Sequence, residues 1–142
     1  MKRFTANIFY TMLLAGVVCA CSSRLDVEQA YEYTIATLPI KKSISVDETV
    51  EIRCQLNRTG YYKPAEYYIR YFQSSGKGVL KDSQGNTFTP NDFVKLENDT
   101  FRLYYTSQCK DQQQLDFTIR DNFGQESALS VGFTNNTSTT TK

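Results

Sequence analysis

The chain is 142 residues long, 40% hydrophobic and 22% charged, with a formal net charge of +1. That length fits one domain with a self-sufficient core. Histidine and tryptophan are both absent, which excludes Ser-His-Asp and Cys-His catalysis, His-ligated zinc and an imidazole pH switch. The balance of 16 basic against 15 acidic residues argues against direct nucleic-acid binding by bulk charge.

The first predicted element is a processing signal. Met1-Lys2-Arg3 is cationic and Ile8–Ala20 is an apolar run of 13 residues. As a helix the run spans about 20 Å, short of the roughly 30 Å hydrocarbon core, so a signal-peptide core fits better than a membrane span. It ends Val18-Cys19-Ala20-Cys21. A small residue directly before a cysteine, after aliphatic residues, has the pattern of a bacterial lipobox. Ala20 makes Cys21 the acceptor, because Cys19 follows the bulky Val18. The alternative is an ordinary secretory signal with incidental cysteines. Two or three acyl chains on Cys21 would anchor firmly where one anchors only marginally, each buried methylene contributing about 0.8 kcal/mol. Residues 1–20 are thus expected to be removed, 21–30 to form a polar tether, and the protein to sit in the cell envelope, lipid-anchored in the outer membrane and facing the periplasm. Of the 16 basic residues, Lys2 and Arg3 leave with residues 1–20, so 14 face 15 acidic residues and the mature charge is −1.

From Tyr31 onward, runs of period two alternate with turn signals, as in an all-β domain. Tyr31–Leu38 is the first strand, stopped by Pro39. Thr49–Leu56 alternates cleanly, with Val50, Ile52, Cys54 and Leu56 on one face. Ala65–Gln73 follows, with Tyr67, Ile69 and Tyr71 together, then the short Val79–Lys81. Asp82–Asn86 reads as a hairpin loop with Gly85 free to take positive φ, and Thr87–Thr89 as its weak partner strand. Thr100–Thr106, Gln114–Arg120 and Ser127–Thr134 complete the set, and Asn135–Lys142 is a Ser/Thr/Asn tail expected to be disordered. About seven strands between residues 31 and 134 predict an immunoglobulin-like β-sandwich, with a small β-barrel as the alternative. The Trp and inter-sheet disulfide of antibody domains are missing.

Cys54 and Cys109 are the remaining cysteines of the mature chain. An exported compartment permits them to pair; alternatively Cys54 is a small core hydrophobe and Cys109 a loop thiol. The carboxylates Asp47, Glu48 and Glu51 read as a solvated strand approach, no metal-binding spacing is present, and no cofactor is expected. The tyrosines stand out. Tyr61 and Tyr62 fall in a turn, while Tyr68, Phe72 and Tyr104 lie on strand faces opposite the apolar ones. If those faces are outward they form an aromatic strip suited to a protein partner or a sugar; alternatively they shield strand edges.

The ordered stretches Glu48–Leu56 (ETVEIRCQL), Tyr68–Leu80 (YIRYFQSSGKGVL), Phe101–Ser107 (FRLYYTS) and Asp111–Gln125 (DQQQLDFTIRDNFGQ) resemble the TraQ-type conjugal transfer proteins of conjugative transposons in gut anaerobes. The resemblance implies a small accessory component of an envelope DNA-transfer apparatus, with other mating-apparatus proteins as partners. It brings no catalytic or ligand residues. The expected function is therefore a non-enzymatic lipoprotein that docks on that machinery, with Ala65–Gln73 as the strand offered by face or edge. The competing expectation is an outer-membrane glycan-binding or adhesin-like module stacking sugars on Tyr61, Tyr62 and Tyr68.

Overall fold

The computed structural model describes residues 30–135. The signal segment 1–20, Cys21, the tether up to residue 29 and residues 136–142 lie outside the described residues. Nine strands and no helix make up the described chain: β1 Tyr33–Thr37, β2 Ser43–Ile44, β3 Thr49–Arg58, β4 Tyr67–Ser75, β5 Gly78–Asp82, β6 Val94–Leu96, β7 Thr100–Ser107, β8 Gln113–Asp121 and β9 Glu126–Asn135.

They form two sheets, ordered β1-β3-β7-β5 and β2-β9-β8-β4-β6. All ladders are antiparallel except that of β2 with β9. The alternation of β3 explains the layering. Val50, Ile52, Cys54 and Leu56 are buried while Glu51, Arg53, Gln55 and Asn57 are exposed, so one face must meet a second sheet. That second sheet supplies Tyr67, Ile69, Tyr71, Leu115, Phe117, Ile119, Val131 and Phe133 to the same core. Each such side chain contributes about 1.5–3 kcal/mol on burial. The first sheet follows the A-B-E-D order of immunoglobulin domains, and β9-β8-β4 the G-F-C order. The two sheets remain separate, so the molecule is a sandwich and not a barrel.

The strand count exceeds the expected seven for a local reason. β2 and β6 span two and three residues, too short to show a period. Ile44 is nonetheless fully buried, because β1 breaks off at Thr37 and the chain crosses to the other sheet. The hairpin at Asp82–Asn86 forms as expected, with Gly85 at φ 88° and the Asp82 carboxylate accepting the Gln84 and Asn86 N–H groups at 2.8 and 2.9 Å. Its expected partner strand Thr87–Thr89 is reduced to a single bridge between Lys81 and Thr87. Phe88 turns into the core instead and packs edge-on against Tyr71.

A buried polar chain closes the end of the sandwich where β4 meets β5 and β7 meets β8. The Tyr105 hydroxyl donates to Gln113 Oε1 at 2.5 Å and accepts from Gln73 Nε2 at 2.7 Å. Gln113 Nε2 donates to Ser107 Oγ at 2.7 Å, which donates to the Cys109 carbonyl at 3.1 Å. Gln113 and Ser107 are fully buried, yet among the described residues no buried side-chain polar atom lacks a partner. Gly78 is required here, because a Cβ would lie 2.3 Å from the Tyr105 hydroxyl and 2.6 Å from the Thr106 carbonyl.

Candidate interaction site

The opposite end gathers three connections: β3–β4 (residues 59–66), β6–β7 (97–99) and β8–β9 (122–125). This is the end at which immunoglobulin variable domains carry their binding loops. A groove of about 260 Å³ opens there, with Arg58, Tyr61, Tyr62, Glu66, Lys95 and Asp99 among its walls. Arg58 organises it. Its guanidinium pairs with Asp99 and lies 4.9 Å from the Tyr61 ring centre and 5.4 Å from that of Tyr67. These are cation–π distances. Burial works against the Arg58 charge, but the hydrogen bonds it donates to Asp99 and Tyr67 prevail and its pKa is raised.

On the neighbouring wall Glu66 accepts from Lys95 at 2.6 Å and from the Tyr68 hydroxyl at 2.7 Å. These hydrogen bonds, Lys95 first, lower the Glu66 pKa and raise those of Lys95 and Tyr68. Tyr62 leans on Phe123 with ring centres 5.9 Å apart. Phe123 sits in the β8–β9 turn, held by Asp121, whose buried carboxylate accepts the N–H groups of Phe123 and Gln125 at 3.0 and 2.7 Å. Gly124 takes φ 91° there. Tyr61 keeps 71% of its surface exposed.

The predicted aromatic residues therefore separate into three places. Tyr61 and Tyr62 line the groove, and Tyr68 borders it through Glu66. Phe72 is 48% exposed on the outer face of β4, opposite Asp116 of β8. Tyr104 lies on the outer face of the other sheet, where its hydroxyl donates to Glu51 at 3.3 Å. Because β4 and β7 belong to different sheets, Tyr104 cannot join Tyr68 and Phe72 in one strip. On its own face Arg53 stands directly opposite Arg102. Like charges so placed repel, and Glu51 bridges them at 3.7 and 3.0 Å.

Two further expectations are corrected. β4 is an edge strand over only part of its length: β8 flanks it throughout, while β6 covers Tyr67–Ile69 on its other side. The outer strands are short or covered, as where β5 accepts the Phe88 N–H at its Leu80 carbonyl, 2.9 Å away. Strand addition at β4 is thus confined to the edge beyond Ile69, where the Tyr71 carbonyl already accepts the Asn91 N–H at 2.9 Å, and its outer face is what it offers along its whole length. Nor do the cysteines pair. Cys54 is buried on β3, opposite Phe101 of β7. Cys109 follows the far end of β7, about 20 Å further along at roughly 3.3 Å per residue, whereas a disulfide needs Cα atoms within about 7 Å. Both thiols are free. Burial pushes the Cys54 pKa up to about 12, while Cys109 Sγ accepts the Lys77 N–H at 3.1 Å. Among the described residues no group of three or more Cys, Asp or Glu side chains gathers as a metal site.

These features define a single immunoglobulin-like β-sandwich with an aromatic, charge-paired groove at its loop end. The chain belongs to the TraQ conjugal transfer protein family, which it matches over residues 4–136. It is similar to a conjugative transposon lipoprotein from Bacteroides eggerthii, with 39% identity over 73% of this chain and 98% of that one, TM-score 0.68. It is also similar to a lipoprotein from Bacteroides thetaiotaomicron, with 46% identity over 83% and 91% of the two chains and a TM-score of 0.68. A conjugate transposon protein from Bacteroides vulgatus shares 41% identity over 78% and 90%, TM-score 0.66. No curated protein matches the chain.

Proposed function

We propose that this chain is a lipid-anchored, non-enzymatic accessory component of a conjugative DNA-transfer apparatus. Family membership over residues 4–136 carries the reading, and solved relatives described as lipoproteins support the anchor. Acylation of Cys21 holds the domain at the cell envelope, in the outer membrane and facing the periplasm. The sandwich then acts by contact with other proteins of the apparatus, through sheet faces and not edges. Phe72 on one face and Tyr104 on the other are the aromatic anchors such contacts would use.

Deleting the gene and measuring transfer frequency of the element tests this reading. Transfer falls on deletion and returns with the wild-type gene. Phe72→Ser or Tyr104→Ser restores it incompletely while the protein accumulates normally. Unchanged transfer in the deletion strain refutes the function, and full rescue by the double face variant refutes the surfaces.

A further inference from the structure

We infer that the loop end of the sandwich, rimmed by Tyr61, Tyr62 and Phe123, is the end this domain lays against the membrane that anchors it. The inference rests on the Cys21 anchor proposed above and names what that end touches. The chain enters the domain there. The Tyr31 ring packs so closely on Gly60 that a Cβ at that glycine would lie 2.2 Å from it. Thr59 donates its N–H and its hydroxyl to the Glu32 carbonyl at 2.9 and 3.0 Å. These contacts fasten residues 31 and 32 to the loop that carries Tyr61 and Tyr62.

Reach then restricts orientation. Nine peptide steps separate Cys21 from residue 30, at most about 30 Å when fully extended. The long axis of the sandwich is set by β3, whose ten residues make nine steps and span about 30 Å. A domain inverted on the membrane would need the leash drawn out to its full length. With the loop end down, no such stretching is needed.

The chemistry of the two ends agrees. The loop end presents Tyr61, Tyr62 and Phe123 beside exposed Lys63 and Pro64. Tyrosine favours the boundary between headgroups and acyl chains, and a lysine stem can lie along apolar surface with its ammonium in water. Three ion pairs, Arg58–Asp99, Lys95–Glu66 and Arg120–Glu126, neutralise much of the charge around that end, so contact needs no anionic lipid. The other end carries residues 45–48, 74–77 and 108–112, none aromatic, with Val46 exposed there. This orientation leaves Phe72 and Tyr104 pointing sideways, free for protein partners.

Because the chain has no tryptophan, a single Tyr61→Trp or Phe72→Trp substitution gives one reporter each. Each full-length acylated variant is placed in phosphatidylcholine–phosphatidylethanolamine vesicles with brominated acyl chains, after mass spectrometry of the acyl group on Cys21. An interfacial ring sits about 5–10 Å into the headgroup–acyl boundary, so the position-61 fluorophore loses about twofold more emission, or better, than the one at position 72. Lys63→Trp, on the same loop, repeats the test should Tyr61→Trp misfold. Equal quenching at positions 61 and 72 in acylated protein overturns the orientation alone. Absence of the acyl group on Cys21 overturns the anchor and the orientation together.

Discussion

Tyr105 and Tyr71 are both core tyrosines, and comparing their hydroxyls isolates the value of the buried polar chain. The Tyr105 hydroxyl donates to Gln113 at 2.5 Å and accepts from Gln73 at 2.7 Å. The Tyr71 hydroxyl reaches only the Phe88 carbonyl, at 3.5 Å. Tyr105→Phe keeps the ring stacked on Phe133, 5.6 Å away, but leaves the fully buried Gln113 oxygen without a donor. An orphaned buried acceptor costs about 1–3 kcal/mol. Gln73 adds little to that loss, since it also donates to the Ser75 carbonyl. Tyr71→Phe removes a marginal bond and costs about 0.5 kcal/mol or less. At about 4–8 °C per kcal/mol for a domain of this size, Tyr105→Phe lowers the melting temperature by about 4–24 °C and Tyr71→Phe by a few degrees. Urea unfolding of both variants, together with Gln113→Leu and the Tyr105→Phe/Gln113→Leu pair, completes the test. The pair costs less than its two parts together, because neither end of the short bond is then stranded. Equal losses for Tyr105→Phe and Tyr71→Phe, with additive behaviour of the pair, would refute the reasoning.

Three other outcomes follow from the same structure. Gly78→Ala drives a Cβ against the Tyr105 hydroxyl and the Thr106 backbone and should destabilise the domain by about 1–3 kcal/mol, whereas Gly85→Ala, with nothing within 4 Å of its Cβ, shows only the smaller strain of its positive φ in parallel melts. Burial, as the largest cause, pushes Tyr33 and Tyr105 from 10.0 up to about 12; the neutral phenol is the folded form, so stability is complete below pH 10 and falls from there through about 12, which unfolding midpoints across that window will show. In native protein with Cys21 acylated, a thiol reagent modifies Cys109 and spares the buried Cys54 until denaturant is added; modification of neither thiol in denaturant would restore the disulfide.

The strands that read clearly are those whose two faces differ. β3, β7, β8 and β9 each set apolar residues against polar ones at period two, and their inward positions could be assigned without knowing any partner. Ile44 and Phe88 could not be placed that way. Each is buried by a crossing or turn of only a few residues, where no period exists. Gln113 was hidden for another reason. It lies in a polar stretch that reads as loop, and its burial depends on Tyr105 and Ser107 being presented by a neighbouring strand. The groove was half legible. Tyr61 and Tyr62 announce themselves as aromatics in a turn, but Arg58, Glu66, Lys95 and Asp99 come from separate segments and meet only in three dimensions. The split of Tyr104 from Tyr68 and Phe72 has the same origin, since alternation reveals which residues share a strand face but not which sheet the strand joins.

The claim on which the account turns is that this domain serves DNA transfer by contact, from a lipid leash. The most direct measurement is transfer frequency in a deletion strain supplied with residues 22–142 behind a secretory signal that is cleaved without acylation. The account predicts normal export, a folded domain and transfer no better than in the deletion strain, with wild-type acylated protein restoring it. Full transfer driven by the unanchored domain would contradict it.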